Sequence, residues 1–186
     1  MQKDTIAIHA GYDKKSGNGE MAIPISQTTA YAFRDAEHAA NLFALKELGP
    51  IYTRLNNPTN DILEQRYAQL ENGAAALATS SGASAVFYSI ANIAEAGDNI
   101  LISDKLYGGS VTLFHFTLKR FGISVKTFKS DDASDLESLI DDKTKGIFFE
   151  SLSNPQIAIP DVEKIVEVAK KYGIITICDS TVATAS

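Results

Sequence analysis

Residues 145–179 read KGIFFESLSNPQIAIPDVEKIVEVAKKYGIITICD. An apolar run ends at Glu150, and Asn154-Pro155 forces a turn. A helix follows, with Pro160 near its start and Gly173 after its end. A second apolar run then ends at Asp179. Strand, helix, strand in this order is a βαβ unit, whose two strands are parallel. The strands are continuously apolar rather than alternating, which predicts a sheet covered on both faces.

The same alternation extends toward the N-terminus. PTNDILEQRYAQLENG (58–73) is a helix with Pro-Thr at its start, Leu63, Tyr67 and Leu70 as apolar positions and Gly73 as its stop. AAALATS (74–80) reads as a strand and GASAVFYSIANIAEAG (82–97) as an apolar helix closed by Gly97. NILIS (99–103) is a strand, GSVTLFHFTLKRFG (109–122) a helix, ISVKTF (123–128) a strand and SDLESLIDD (134–142) a short helix. The expected fold is α/β, a mainly parallel sheet with helices on both faces. Residues 1–57 have another texture. Loop signals stand at GYDKKSGNGE, PISQTT and LNNPTN, with one helical patch at DAEHAANLFALKEL. This segment is expected to be an arm that lies on something else, and 58–186 to be the α/β domain.

The chain has 186 residues, 45% hydrophobic and 22% charged, with a formal net charge of -6. That size and balance suit one globular domain. Scattered acidic charge argues against a nucleic-acid or anionic-membrane partner. No apolar run reaches the length of a membrane span, and the N-terminus has no signal-peptide core. A cytoplasmic protein is the expectation. The single cysteine, Cys178, cannot form an internal disulfide, and its strand context predicts a small buried side chain. No metal site is expected.

In a parallel α/β sheet, ligands bind beyond the carboxyl ends of the strands. SSGAS (80–84) carries a strand into a glycine and directly into a helix. Ser81, Gly82 and Ala83 there outline a phosphate cradle, because the first helical N–H groups lack partners and the helix dipole favours an anion. A capped turn without a ligand is the alternative. In DKLYGGS (104–110), Tyr107 could lie over a ring-shaped ligand or simply pack on a helix end. In FFESLSNPQ (148–156), Asn154 could bind a phenolic oxygen or form an Asx-turn. Asp179, leaving an apolar strand, needs a partner: a protonated ring nitrogen, a helix N-terminus or an arginine. Tyr52 and Arg54, in GPIYTRLNNPTN (49–60), offer a bidentate phosphate partner or a solvated loop charge. Neither G-x-G-x-x-G nor a P-loop is present, which disfavours a nucleotide-dependent oxidoreductase. Taken together, the signals describe one ligand with a phosphate, an aromatic ring, a phenolic oxygen and a basic ring nitrogen. That ligand is pyridoxal 5'-phosphate (PLP).

PISQTTAY, IYTRLNNPT, LENGAAALATSSGASA, SDKLYGGS, FFESLSNPQ and CDSTVAT stand in the order and spacing found in the Cys/Met-metabolism family of PLP-dependent enzymes. The chain resembles that family over essentially its whole length. NLFALKELGPIYTRLNNPTNDILEQR is most similar to its O-acetylhomoserine sulfhydrylases. The resemblance implies the large domain of a type I (aspartate-aminotransferase-like) PLP-dependent transferase. Its function would be γ-replacement, turning O-acetylhomoserine and sulfide, free or from a sulfur carrier, into homocysteine and acetate in methionine biosynthesis. Gly82 and Ala83 would give N–H groups to the cofactor phosphate beside Ser81. Tyr107 would stack on the pyridine ring, Asn154 would bind its hydroxyl, and Asp179, supported by Thr181, would pair with its nitrogen. Tyr107 and Asp179 would be the catalytic pair. Tyr52 and Arg54 would reach the phosphate of a neighbouring subunit, in a homotetramer built from dimers that share sites. The sequence departs from the family at Ala83, where methionine is usual, at Ser180, where asparagine is, and at Ala185, where proline is.

None of the thirteen lysines stands in the Ser-x-[Ser/Thr]-Lys context that holds the family's Schiff-base lysine. Lys105 is the one nearest the expected ring. The chain is therefore expected to be an N-terminal piece, inactive by itself and ending before that lysine and a C-terminal domain. The rival readings are a cystathionine γ-synthase or a lyase of the same family, and a non-catalytic remnant that kept the fold.

Overall fold

A computed structural model describes residues 2–15 and 19–185. The loop read over GYDKKSGNGE falls partly on residues 16–18, outside the described residues. The chain forms two compact units, Met1–Ala78 and Thr79–Ser186.

The first unit holds α1 (Lys3–His9), α2 (Ala36–Phe43) and α3 (Pro58–Leu70). Helix α1 lies in the stretch read as irregular, so the sequence reading missed it. It is only 7 residues long and buries no side chain, and so has no apolar stripe to signal it. It packs against α3. Next to it, Arg66 Nε donates to the Ala10 carbonyl at 2.9 Å. Gly11 follows with φ +80°, where a Cβ would lie 2.5 Å from the Ile62 carbonyl oxygen. The start of α3 is built by Asn57, a buried side chain. Its Oδ1 accepts from Thr59 N–H while its Nδ2 donates to the Ser26 carbonyl and to Thr53 Oγ1. The Asn-Pro-Thr signal is thus an N-cap with proline at the first turn. Helix α3 groups with the N-terminal segment, whereas the sequence reading began the α/β region at Pro58.

The second unit is a sheet of four parallel strands, β1 (Asn99–Ser103), β2 (Ser124–Phe128), β3 (Thr144–Glu150) and β4 (Ile175–Asp179), in the order β2-β1-β3-β4. Its helices are α4 (Gly82–Ala91), α5 (Gly108–Thr112), α6 (Leu136–Leu139) and α7 (Val162–Tyr172). Every residue of β1 is buried. Ile100, Ile102 and Phe148 meet Ile90, Phe114 and Leu118 on one face. Leu101, Ile147 and Phe149 meet Leu136, Ile165 and Val168 on the other. Both faces of the central strands are covered, which is why their sequences lack a two-residue period. Each such side chain contributes about 1.5–3 kcal/mol on burial. Helix α7 buries Ile165, Val168 and Ala169, is capped by Asp161, whose side chain accepts from Lys164 N–H, and ends at Gly173 with φ +65°. Gly173 is the stop read in the sequence; the Asp161 cap is not among the signals read there.

Further expectations change, among them the helix read as closed by Gly97, which ends at Ala91. AAALATS is not a strand: no strand pairs with it among the described residues, and Leu77 is exposed. An apolar run becomes a strand only where a ladder partner exists. Cys178 is exposed rather than buried, because β4 is the last strand of the sheet and three of its five residues are exposed. The helix read over 109–122 is three segments in sequence: α5, a π-turn at Leu113–Thr117 and a 3-10 turn at Leu118–Phe121.

Candidate active site

All four strands are parallel, so their carboxyl ends share one edge of the sheet. From β1 the chain crosses to β2 on one side, and from β3 it crosses to β4 on the other. The connections diverge between β1 and β3, and a crevice opens at such a divergence. A cavity of about 520 Å³ lies here, lined by residues of the second unit that include Gly82, Ala83, Tyr107, Asn154, Asp179 and Thr181. Residues up to 100 positions apart in sequence are thereby gathered, from Gly82 to Val182.

The wall from α4 begins at its N-cap. Ser81 Oγ accepts from Ser84 N–H at 3.1 Å and pairs with Ser84 Oγ at 2.9 Å. That cap satisfies the third helical N–H and leaves those of Gly82 and Ala83 at the helix start, where the dipole is positive. A Cβ at Gly82 would meet nothing within 4 Å, so the backbone there is open to a ligand. Ser81 itself serves as the cap.

Tyr107 stands at the N-cap of α5, half-exposed, with its ring folded over Gly109. A Cβ at Gly109 would lie 2.4 Å from Tyr107 Cε1. The Tyr-Gly-Gly stretch therefore needs its second glycine for space. Asn154 follows β3, its peptide bond to Pro155 is cis, and its side chain lies on the cavity wall. Asp179 ends β4, in register with Glu150 at the end of β3. Thr181 donates to Asp179 Oδ1 twice, from N–H at 2.9 Å and from Oγ1 at 2.5 Å. Thr181 engages only Oδ1, so Oδ2 remains for a ligand.

Tyr52 and Arg54 belong to the first unit. There the Arg54 guanidinium lies over the Tyr52 ring, 5.0 Å from its centroid, and Tyr52 forms an isolated antiparallel bridge with Ala30. Lys105 pairs with Asp131. Among the described residues no group of three or more His, Cys, Asp and Glu side chains is placed to hold a metal, and no helix is long and apolar enough to cross a membrane.

Sequence reading gave no role to Glu150, Gly109 or the π-turn residues Leu113 and Thr117, all of which line the cavity. Glu150 had a signal, a carboxylate directly after Ile147-Phe148-Phe149. The π-turn had none, although such turns often lie at functional sites.

The donor set fits an aromatic phosphate. The start of α4 can hold an anion, Tyr107 a ring face, Asn154 a ring oxygen and Asp179 a protonated ring nitrogen. Comparison with known proteins agrees with this chemistry. Over 178 residues, 96% of this chain, the sequence is 47% identical to the homocysteine synthase of Schizosaccharomyces pombe, covering 42% of that protein. A Campylobacter jejuni protein described as an O-acetylhomoserine (thiol)-lyase, solved with a pyridoxyl-lysine phosphate, superposes with a TM-score of 0.96 at 51% identity. All of this chain and 46% of that one are covered. The cystathionine gamma-lyase of Lactobacillus plantarum, solved with L-serine, has a TM-score of 0.89 at 28% identity over the same shares. The chain thus spans less than half the length of each of these proteins. Residues 4–186 match the family model as a whole, and with that extent of agreement the chain belongs to the Cys/Met metabolism PLP-dependent enzyme family.

Proposed function

We propose that this chain carries the cofactor-holding part of an enzyme that replaces the acetate of O-acetylhomoserine with sulfide, giving homocysteine and acetate. The observation that carries the reading is the meeting, at one sheet edge, of the α4 N-terminus, the Tyr107 ring, Asn154 and Asp179. The relatives named for this reaction are 47% and 51% identical, against 28% for the cystathionine lyase.

Gly82 and Ala83 give N–H groups to the phosphate, with the α4 dipole adding to the attraction. Tyr107 covers one ring face, and Asn154 donates to the ring oxygen. Asp179 holds a proton on the ring nitrogen, and Thr181 fixes the carboxylate that does so. PLP bound in this way supplies an electron sink for the substrate. Leu113, Leu152 and Val182 give the cavity an apolar wall.

The first unit is read as an arm. It exposes Phe43, Leu45 and Leu48 at 65%, 79% and 88%, a patch that suits a protein interface. Tyr52 and Arg54 would then reach the phosphate in a neighbouring subunit, within a cytoplasmic homotetramer of dimers that share sites. The test is to assay the full-length protein with PLP, O-acetylhomoserine and sulfide, following acetate and homocysteine in equal amounts. A PLP-loaded protein that instead makes or cleaves cystathionine faster would overturn the reading.

A further inference from the structure

We propose that Glu150 is a positioning residue, a carboxylate clamp that holds Tyr107 and Asn154 in mutual register for the cofactor ring. This inference rests on the PLP reading above and assigns a role to a group that reading leaves unused.

Glu150 ends β3 and is only 5% exposed. Its Oε1 accepts from Tyr107 N–H at 2.6 Å, and its Oε2 accepts from Asn154 N–H at 3.1 Å. The first bond spans 43 positions of sequence and joins the loop after β1 to the end of β3. The sheet connections diverge between these two strands, so no covalent path through a short loop keeps them aligned. One carboxylate bridges that gap with each of its oxygens. None of the salt bridges among the described residues includes Glu150. A buried carboxylate is costly unless hydrogen-bonded, and here the donors are the backbones of the two residues that face the ring.

The geometry needs two acceptors at a fixed reach. Glutamine keeps the shape but presents an NH₂ group to one of the two N–H groups, leaving that donor unsatisfied. Aspartate keeps the charge but is shorter by a methylene and cannot span both. Charge alone is therefore not the requirement.

The test compares the full-length wild type with Glu150→Gln and Glu150→Asp in four readouts: amide hydrogen exchange at Tyr107 and Asn154 without PLP, PLP affinity, visible circular dichroism per bound PLP, and melting temperature. For Glu150→Gln, exchange at one of the two amides should rise about tenfold, the scale of one unsatisfied buried hydrogen bond. PLP binding should weaken by a similar factor, and the visible dichroism should change because the ring sits differently. Glu150→Asp should lose the same signature despite its charge. A variant that only loosens the fold would lower the melting temperature and leave the dichroism of bound PLP unchanged. Faster exchange with unchanged dichroism would reduce Glu150 to a loop fastener and overturn the proposal, as would a Glu150→Gln protein equal to wild type. A wild type that protects both amides yet takes up no PLP would instead sink the cofactor reading, with the clamp judged on exchange alone.

Discussion

Gly109→Ala is expected to separate activity from stability. A Cβ at this position would lie 2.4 Å from Tyr107 Cε1, 3.1 Å from Cδ1 and 3.2 Å from Cζ, whereas ordinary contact begins at 3.4 Å. The nearest ring carbon must therefore retreat by about 1 Å, from 2.4 to 3.4 Å. The obstructing atoms belong to a side chain, so the Tyr107 ring swings aside and the backbone stays in place. Displacement of a positioning group by about 1 Å can cost about 10²-fold in rate. Stability should not fall: Gly109 lies inside α5, where alanine is favoured over glycine by about 1 kcal/mol. Gly108→Ala is the control, because a Cβ there meets nothing within 4 Å. The assay is kcat/KM for O-acetylhomoserine, with PLP visible dichroism and melting temperature measured on the same samples. Gly109→Ala should lose one to two orders of magnitude in kcat/KM, with altered dichroism and an equal or higher melting temperature. Gly108→Ala should match wild type. If the two variants behave alike, the placement of the Tyr107 ring over Gly109 is wrong as a functional argument.

Asp179→Ala should lower kcat by at least about 10²-fold while PLP still binds, since the residue tunes the ring nitrogen rather than anchoring the phosphate; wild-type turnover would remove Asp179 from the mechanism. Arg54→Ala and Asp179→Ala subunits, each impaired, should regain activity when mixed, because one site per mixed pair receives an intact arm and an intact pocket; mixed oligomers without recovery would mean that the arm serves its own pocket. At the opposite edge of the sheet, Asp141 accepts from Lys126 Nζ and from Asn99 Nδ2, and the Lys126 bond above all holds its carboxyl well below the usual carboxylate range. A carboxyl held low in the folded state adds stability above its unfolded value of about 4 and loses it as pH falls further. Asp141→Asn should therefore be less stable than wild type at neutral pH, with the gap closing below about pH 4; denaturation midpoints measured against pH would expose a constant gap.

The local content of the second unit is legible in its amino-acid sequence. The ends of α7, marked by Pro160 and Gly173, and the start of α4, at Ser81-Gly82, are legible because such signals act within a few residues. Burial on both faces of β1 and β3 is legible because their centres, Ile100-Leu101-Ile102 and Ile147-Phe148-Phe149, are apolar with no two-residue period. Strand-end placement then singled out Tyr107, Asn154 and Asp179, and all three line the cavity. What the tertiary structure alone decided depends on non-local pairing. The order β2-β1-β3-β4 sets where the crevice opens. AAALATS is apolar enough for a strand but meets no partner among the described residues, and Cys178 sits on the outermost strand of that order. Glu150 reaches Tyr107 only because β1 and β3 are adjacent. A hydrogen bond across 43 residues leaves no periodicity behind it; it exists only once the sheet has brought the two strand ends together.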